Sequence, residues 1–152
     1  GLLAVGLRLG EARHVESVRR AADALLDRLT PEGRLAGAYG RGWRPAARSS
    51  CLTGNVQIGI AWGWLHAVTG ESRYPDGLRR ANRFVARTQR LGDPDPGIRG
   101  GVKGSHPNTN GYSPFLYYPN WAAKFFLDSL LLEEALETRG PEAVRPHLPW
   151  CG

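Results

Sequence analysis

The chain has no run of about 18 apolar residues, so nothing in it is expected to span a membrane. Cysteine is scarce. Cys51 and Cys151 are the two present, and they show neither a metal-ligand spacing nor a disulfide framework. Reduced thiols are the default for such a pair, and neither a metal nor an organic cofactor is expected. Acids are outnumbered, 14 against 20 Lys and Arg, for a formal charge of +6. Much of the excess sits in Arg79, Arg80, Arg83, Arg87 and Arg90, which recur at helical spacing and read as a solvated outer face. No interleaved stacking aromatics or recognition motif accompany them, which argues against nucleic acid as a partner. A basic protein does favour an acidic ligand. An initiating Met is also lacking. The opening "GLLAVGLRLGEARHVE" has too short an apolar stretch, and no basic flank, for a secretory signal. The expectation is a cytoplasmic chain whose beginning lies further upstream.

What is there is ordinary in bulk and patterned in detail. Apolar and charged fractions of 41% and 22% are those of a globular protein, and 152 residues suit a single domain, 1–152. Four helices are legible. Val18, Ala21, Ala22, Leu25, Leu26 and Leu29 form one stripe opposite Arg19, Arg20, Asp23 and Asp27. Leu78, Ala81, Phe84, Val85 and Thr88 form another, opposite the arginines. Both are amphipathic with one wet side. "NVQIGIAWGWLHAV" (55–68) and "NWAAKFFLDSLLLEEAL" (120–136) are apolar nearly all round, which predicts burial on every side. The order is outer, inner, outer, inner.

The halves repeat, over about 15–68 and 72–138. Asn55 and Asn120 stand before the inner helices as expected N-caps, each worth ~1 kcal/mol. "GRLAGAYGRGW" (33–43) matches "GIRGGVKGSHP" (97–107), glycine on glycine. A unit that cannot bury its own apolar face implies stacking of several units. Between Gly100 and Asn120 runs a long Gly-, Pro- and Asn-rich loop with several aromatics. Loops of that length in a compact domain usually have a function.

"LTGNVQIGIAWGWLHAVTGESRYPDGLRRANRFVARTQ" (52–89), with its Thr69-Gly70-x-x-x-Tyr74 return, resembles the helical-hairpin repeat of α/α toroids. Six-hairpin glycosidases and sugar epimerases share that pattern, as do terpenoid-cyclase and prenyltransferase toroids. "GIRGGVKGSHPNTNGYSPFLYYPNWAAKFFLDSLLLEEAL" resembles a bacterial family of such toroids. The resemblance implies an all-α fold, helical hairpins of an incomplete toroid with alternating outer and inner helices. Closed toroids use five to seven hairpins and two are legible here, so the chain is similar to a C-terminal piece. It further implies a cavity lined by inner helices, with 37–48 and 100–120 as its rim.

Candidate site residues follow from position and chemistry. Trp43, Tyr112, Tyr117, Tyr118 and Trp121 cluster on or beside the long loops. Flat aromatic faces suit sugar rings, suit an isoprenoid pocket, or simply pin the loops. His106 offers a base near neutral pH. Lys124 and Asp128, four apart on an apolar helix, share a face and read as a self-satisfying pair or as cavity groups. Gln57 reaches the same rim. Arg99 and Asn108 suit a carboxylate or a hydroxyl, and Lys103 flanks the rim glycines. His66 reads as a satisfied core group. Asp93 and Asp95, in "GDPDPG", read as turn formers rather than the two carboxylates of a glycosidase. An Asp-rich cyclase motif and an Asp–Cys–His zinc arrangement are both lacking.

The reading is a carbohydrate-active toroid protein that binds or acts on a sugar or uronic-acid polymer. Any chemistry would be metal-free acid–base work, of the glycoside hydrolase, lyase or epimerase kind, by His106, Tyr112 and Arg99. Trp43, Gln57, Asn108, Tyr117, Trp121, Lys124 and Asp128 would bind substrate. A terpenoid-cyclase-like cavity, or a non-catalytic module, is the alternative. Exposed inner helices of an open fragment would favour self-association.

Overall fold

A computed structural model describes residues 1–107 and 117–144 and shows a mostly helical protein with one two-stranded ribbon. In chain order the elements are α1 (Leu2–Leu9), α2 (Ala12–Leu26), a 3-10 turn (Arg41–Trp43), β1 (Ser50–Cys51), α3 (Leu52–Thr69), α4 (Arg73–Thr88), β2 (Ser105–His106), α5 (Asn120–Arg139) and α6 (Pro141–Val144). The all-α reading is borne out, and the four expected helices appear as α2 to α5. Periodicity did not single out the short α1 and α6. No helix among the described residues is long and apolar enough to cross a membrane.

Helix α3 is the centre of the molecule. It packs on α4 and α5 and also touches α2 and α6. Leu52, Val56, Trp62 and Leu65 on it are fully buried. One core joins Trp62 and Leu65 to Ala22 and Leu25 of α2 and to Tyr74 of α4. A second joins Leu52 and Val56 to Val85 of α4 and to Ala122 and Phe126 of α5. Burying each large side chain of this kind contributes roughly 1.5–3 kcal/mol.

The return from α3 to α4 shows why the Thr-Gly-x-x-x-Tyr spacing folds as it does. Gly70 ends α3 in the left-handed region (φ 75°), where its N–H bonds the His66 carbonyl at 2.8 Å. Tyr74 then buries its ring against α2, and its hydroxyl donates to Asp23 at 2.7 Å. The arginine face of α4 is only partly solvated. Arg80 donates to the carbonyls of Leu29 (3.1 Å) and Thr30 (2.7 Å), and Arg79 pairs with Glu137.

Three expectations need correction. Helix α3 begins at Leu52, three residues before Asn55, because Cys51 is held extended by β1 and its sulfur accepts the Gly54 N–H. Asn55 is therefore no cap. Asn120 is the first residue of α5 and follows an extended Pro119, so it does not cap either. Nor is α5 wrapped on every side. Ala122, Phe126 and Ser129 are buried, while Leu127 is 56% exposed and Leu131 53%. Among the described residues no element covers that side of α5. The buried side is tied to α4 by polar groups: Asn82 donates to the Ser129 carbonyl and to Glu133, and the Ser129 hydroxyl donates back to Asn82 at 2.6 Å.

Candidate functional site

The site is built at the leading end of α3, where the two long loops meet. The first loop folds into a hairpin-like arm. Gly37 N–H bonds the Ser49 carbonyl (2.7 Å), Ala46 bonds Ala38 (2.8 Å), and Tyr39 bridges Pro45. Asn55 anchors its base. The Asn55 carbonyl oxygen accepts the Leu35 N–H at 2.9 Å, and its amide donates to the carbonyls of Gly33 (2.9 Å) and Ala81 (3.4 Å). The second loop then pairs with the first. Ser50 lies opposite His106 and Cys51 opposite Ser105, antiparallel, and Leu52 N–H bonds the Gly104 carbonyl at 3.1 Å. Gly104 in turn receives its own tie, donating to the Tyr117 carbonyl at 3.0 Å.

Three adjoining hollows open along this region. The largest, ≈ 670 Å³, lies between one stripe of α3 (Gln57, Ile60, Ala61, Trp64) and one stripe of α5 (Lys124, Phe125, Asp128, Leu132), closed at one side by the start of α1. A second, ≈ 300 Å³, shares Gln57 and Phe125 with the first and adds Cys51, Gly54 and Trp121. A third, ≈ 310 Å³, shares Cys51 and Gly54 with the second and adds Tyr39 and Trp43. Neighbouring hollows share lining residues, and the three, taken together as a groove, follow α3 from Cys51 to Trp64.

Five of the expected site residues line it: Trp43, Gln57, Trp121, Lys124 and Asp128. Lys124 and Asp128 form an ion pair, and the Lys124 ammonium stands 4.6 Å from the centre of the Phe125 ring. Both charges keep access to water, so the pair contributes at most ~1 kcal/mol to stability and its groups stay available. Trp43 is held in a strained conformation, φ 60°, which costs a bulky residue about 1–2 kcal/mol. Arg28 fixes it by donating to its carbonyl at 2.7 Å, Tyr39 meets its ring edge-on, and the indole remains 37% exposed. Strain kept at an exposed aromatic points to a use for that orientation.

The remaining expected residues lie elsewhere. Arg99 donates to the carbonyls of Asp93 (2.7 Å) and Pro94 (3.3 Å), closing its own turn. In that turn Asp93 accepts from the Asp95 N–H and Asp95 from the Gly97 N–H, in keeping with the turn-forming reading of both acids. Tyr117 is half exposed beside Gly104 and lines none of the three hollows. Asn108 and Tyr112 lie outside the described residues. His66 bonds the Glu71 carbonyl at 2.9 Å through Nδ1, in keeping with a satisfied core group. The sequence reading did not pick out Ile60, Ala61, Trp64 and Phe125. The signal for the first three was the i, i+3, i+4, i+7 stripe from Gln57, hidden because α3 is apolar on its other faces too, and Phe125 stands beside Lys124 on the similarly apolar α5.

His106 sits on β2 with its ring edge-on to Phe84, 6.1 Å between centroids. Burial holds its pKa below the usual 6.5, and the charges of Lys103 and Arg34 lower it further. The imidazole is thus neutral at neutral pH, the form a general base needs, but it does not line the groove. Because the folded pKa is the lower one, the unfolded chain binds the extra proton. Stability is then full above the ordinary histidine range and falls as pH drops through it, levelling off below the folded pKa. A ring-proton NMR titration should place His106 below 6.5, and His106→Gln should remove its share of the acid-side loss. A folded-state midpoint at or above 6.5 would contradict this environment.

Comparison of the chain with protein-family models, curated proteins and solved structures returned no match.

Proposed function

We propose that this chain is part of an α/α toroid whose open groove binds a carbohydrate chain. The observation that carries the reading is the succession of three hollows that adjoin through shared lining residues, each bordered by an aromatic side chain. Trp43 with Tyr39, then Trp121, then Phe125 with Trp64 offer flat faces in succession. A sugar ring buries its C–H face on such a surface and presents hydroxyls at its edge. Gln57, Lys124 and Asp128 are placed to hydrogen-bond those hydroxyls. Asp128 is the one carboxylate among the lining residues, and glycoside hydrolysis typically uses two. Recognition of a sugar or uronic-acid chain therefore fits the described residues better than its hydrolysis.

The runner-up is an isoprenoid in the largest hollow, whose walls include Leu3, Val18, Ile60, Ala61 and Leu132. A glycan array followed by calorimetric titration separates the two. Binding to an oligosaccharide is expected, with Trp121→Ala and Trp43→Ala each weakening it by about tenfold. A silent array together with isoprenoid extracted from the purified protein would replace the first reading by the second. Wild-type affinity in both variants would remove the groove as the sugar site.

A further inference from the structure

We propose that the exposed side of α5 is a self-association surface on which a second copy of this chain packs antiparallel. Ala123, Leu127, Leu130 and Glu134 follow at intervals of four, three and four, the spacing of a coiled-coil seam. Leu127, Leu130 and the flanking Leu131 are 56%, 39% and 53% exposed, while the other side of the helix is committed to the core through Ala122, Phe126 and Ser129. Three uncovered leucines on one seam form an apolar strip that a matching helix would remove from water.

Charge decides the orientation. Lys124 stands at the leading end of the strip and Glu134 at its trailing end, both exposed. A parallel pair sets lysine against lysine and glutamate against glutamate. With Leu127 opposite Leu130 of the second copy, an antiparallel pair brings Lys124 near Glu134 of the second copy, twice by symmetry. The helix dipoles then also oppose one another. Lys124 can keep Asp128 as well, since an ammonium has three N–H donors. Glu134 is the acid left for this task. Glu133 is engaged by Asn82 and Glu137 by Arg79, whereas the Glu134 carboxylate has no such tie among the described residues. Ala123, opposite Glu134 of the second copy, leaves room for the glutamate stem.

A single helix face is smaller than the ~800 Å² per partner of a standard interface, so the dimer should be weak, with Kd on the order of tens of micromolar. Lys124 also lines the largest hollow, but Leu127, Leu130 and Leu131 line none of the three, so the leucine variants test the dimer independently of what the groove binds.

Sedimentation velocity of the 152-residue chain from about 1 to about 500 µM tests it. A monomer–dimer equilibrium is expected, weakened by added salt. Leu127→Lys should weaken it by at least about tenfold and Glu134→Lys by several-fold. The double variant Lys124→Glu with Glu134→Lys should recover most of the wild-type association. Each variant is checked by circular dichroism, and Leu130→Ala replaces Leu127→Lys if that variant is not folded. A monomer throughout, growth past the dimer, indifference to the leucine substitution, or no recovery in the double variant would each overturn the proposal.

Discussion

Gly33→Ala should leave most of the chain unfolded, at a cost on the order of 4 kcal/mol or more. Gly33 adopts φ 90°, outside the range ordinary residues favour, and a Cβ there would overlap the backbone carbonyl of Arg80. Backbone cannot swing aside as a side chain can. The turn and α4 would have to separate, and with them would go the Asn55 bond to the Gly33 carbonyl and the Arg80 bonds to Leu29 and Thr30. Gly70→Ala is the matched control. Gly70 has a similar φ of 75° but open space where a Cβ would fall, so only the conformational penalty of ~1 kcal/mol is expected. Urea unfolding of the two variants beside the wild type separates sterics from dihedral preference. Equal losses would mean that the turn does not touch α4 as described.

Most of the helical layout was legible because periodicity reports which residues share a face. The stripe on α4 and the Gly70 stop of α3 both have local causes, a helical repeat and a left-handed cap. What periodicity does not report is whether a partner exists for a face. Helices α3 and α5 look alike in sequence, yet α3 is packed by α2, α4 and α5 except along the Gln57–Trp64 stripe that borders the groove, while Leu127 and Leu131 of α5 meet water. The groove was half legible for a related reason. Gln57, Lys124 and Asp128 stand out as polar interruptions in apolar helices, whereas Trp64 and Phe125 are apolar residues among apolar neighbours. Arg99 lies in a turn and His106 on a two-residue strand, both too short for a period to say which way a residue faces. Their placement came only with the hydrogen bonds of Arg99 to its own turn and the pairing of His106 with Ser50.

The two asparagines that look equivalent in "TGNV" and "YPNW" should behave very differently. Asn55→Ala is expected to cost about 3 kcal/mol, because it strands the buried Leu35 N–H and the Gly33 carbonyl together. Asn120→Ala should change stability by less than about 0.5 kcal/mol, since Asn120 is exposed and its side chain caps nothing. Asn55→Asp sharpens the test. The new carboxylate still accepts from Leu35 but faces the Gly33 carbonyl without a proton to offer, in a site only 1% exposed. Its pKa should rise on folding, so the folded state binds the proton more tightly and the variant gains stability as pH falls through that raised value. Unfolding midpoints at neutral and at mildly acidic pH, each referred to wild type at the same pH, give the readout. Similar losses for Asn55→Ala and Asn120→Ala would return Asn55 to the role of a simple cap and release the first loop from α3.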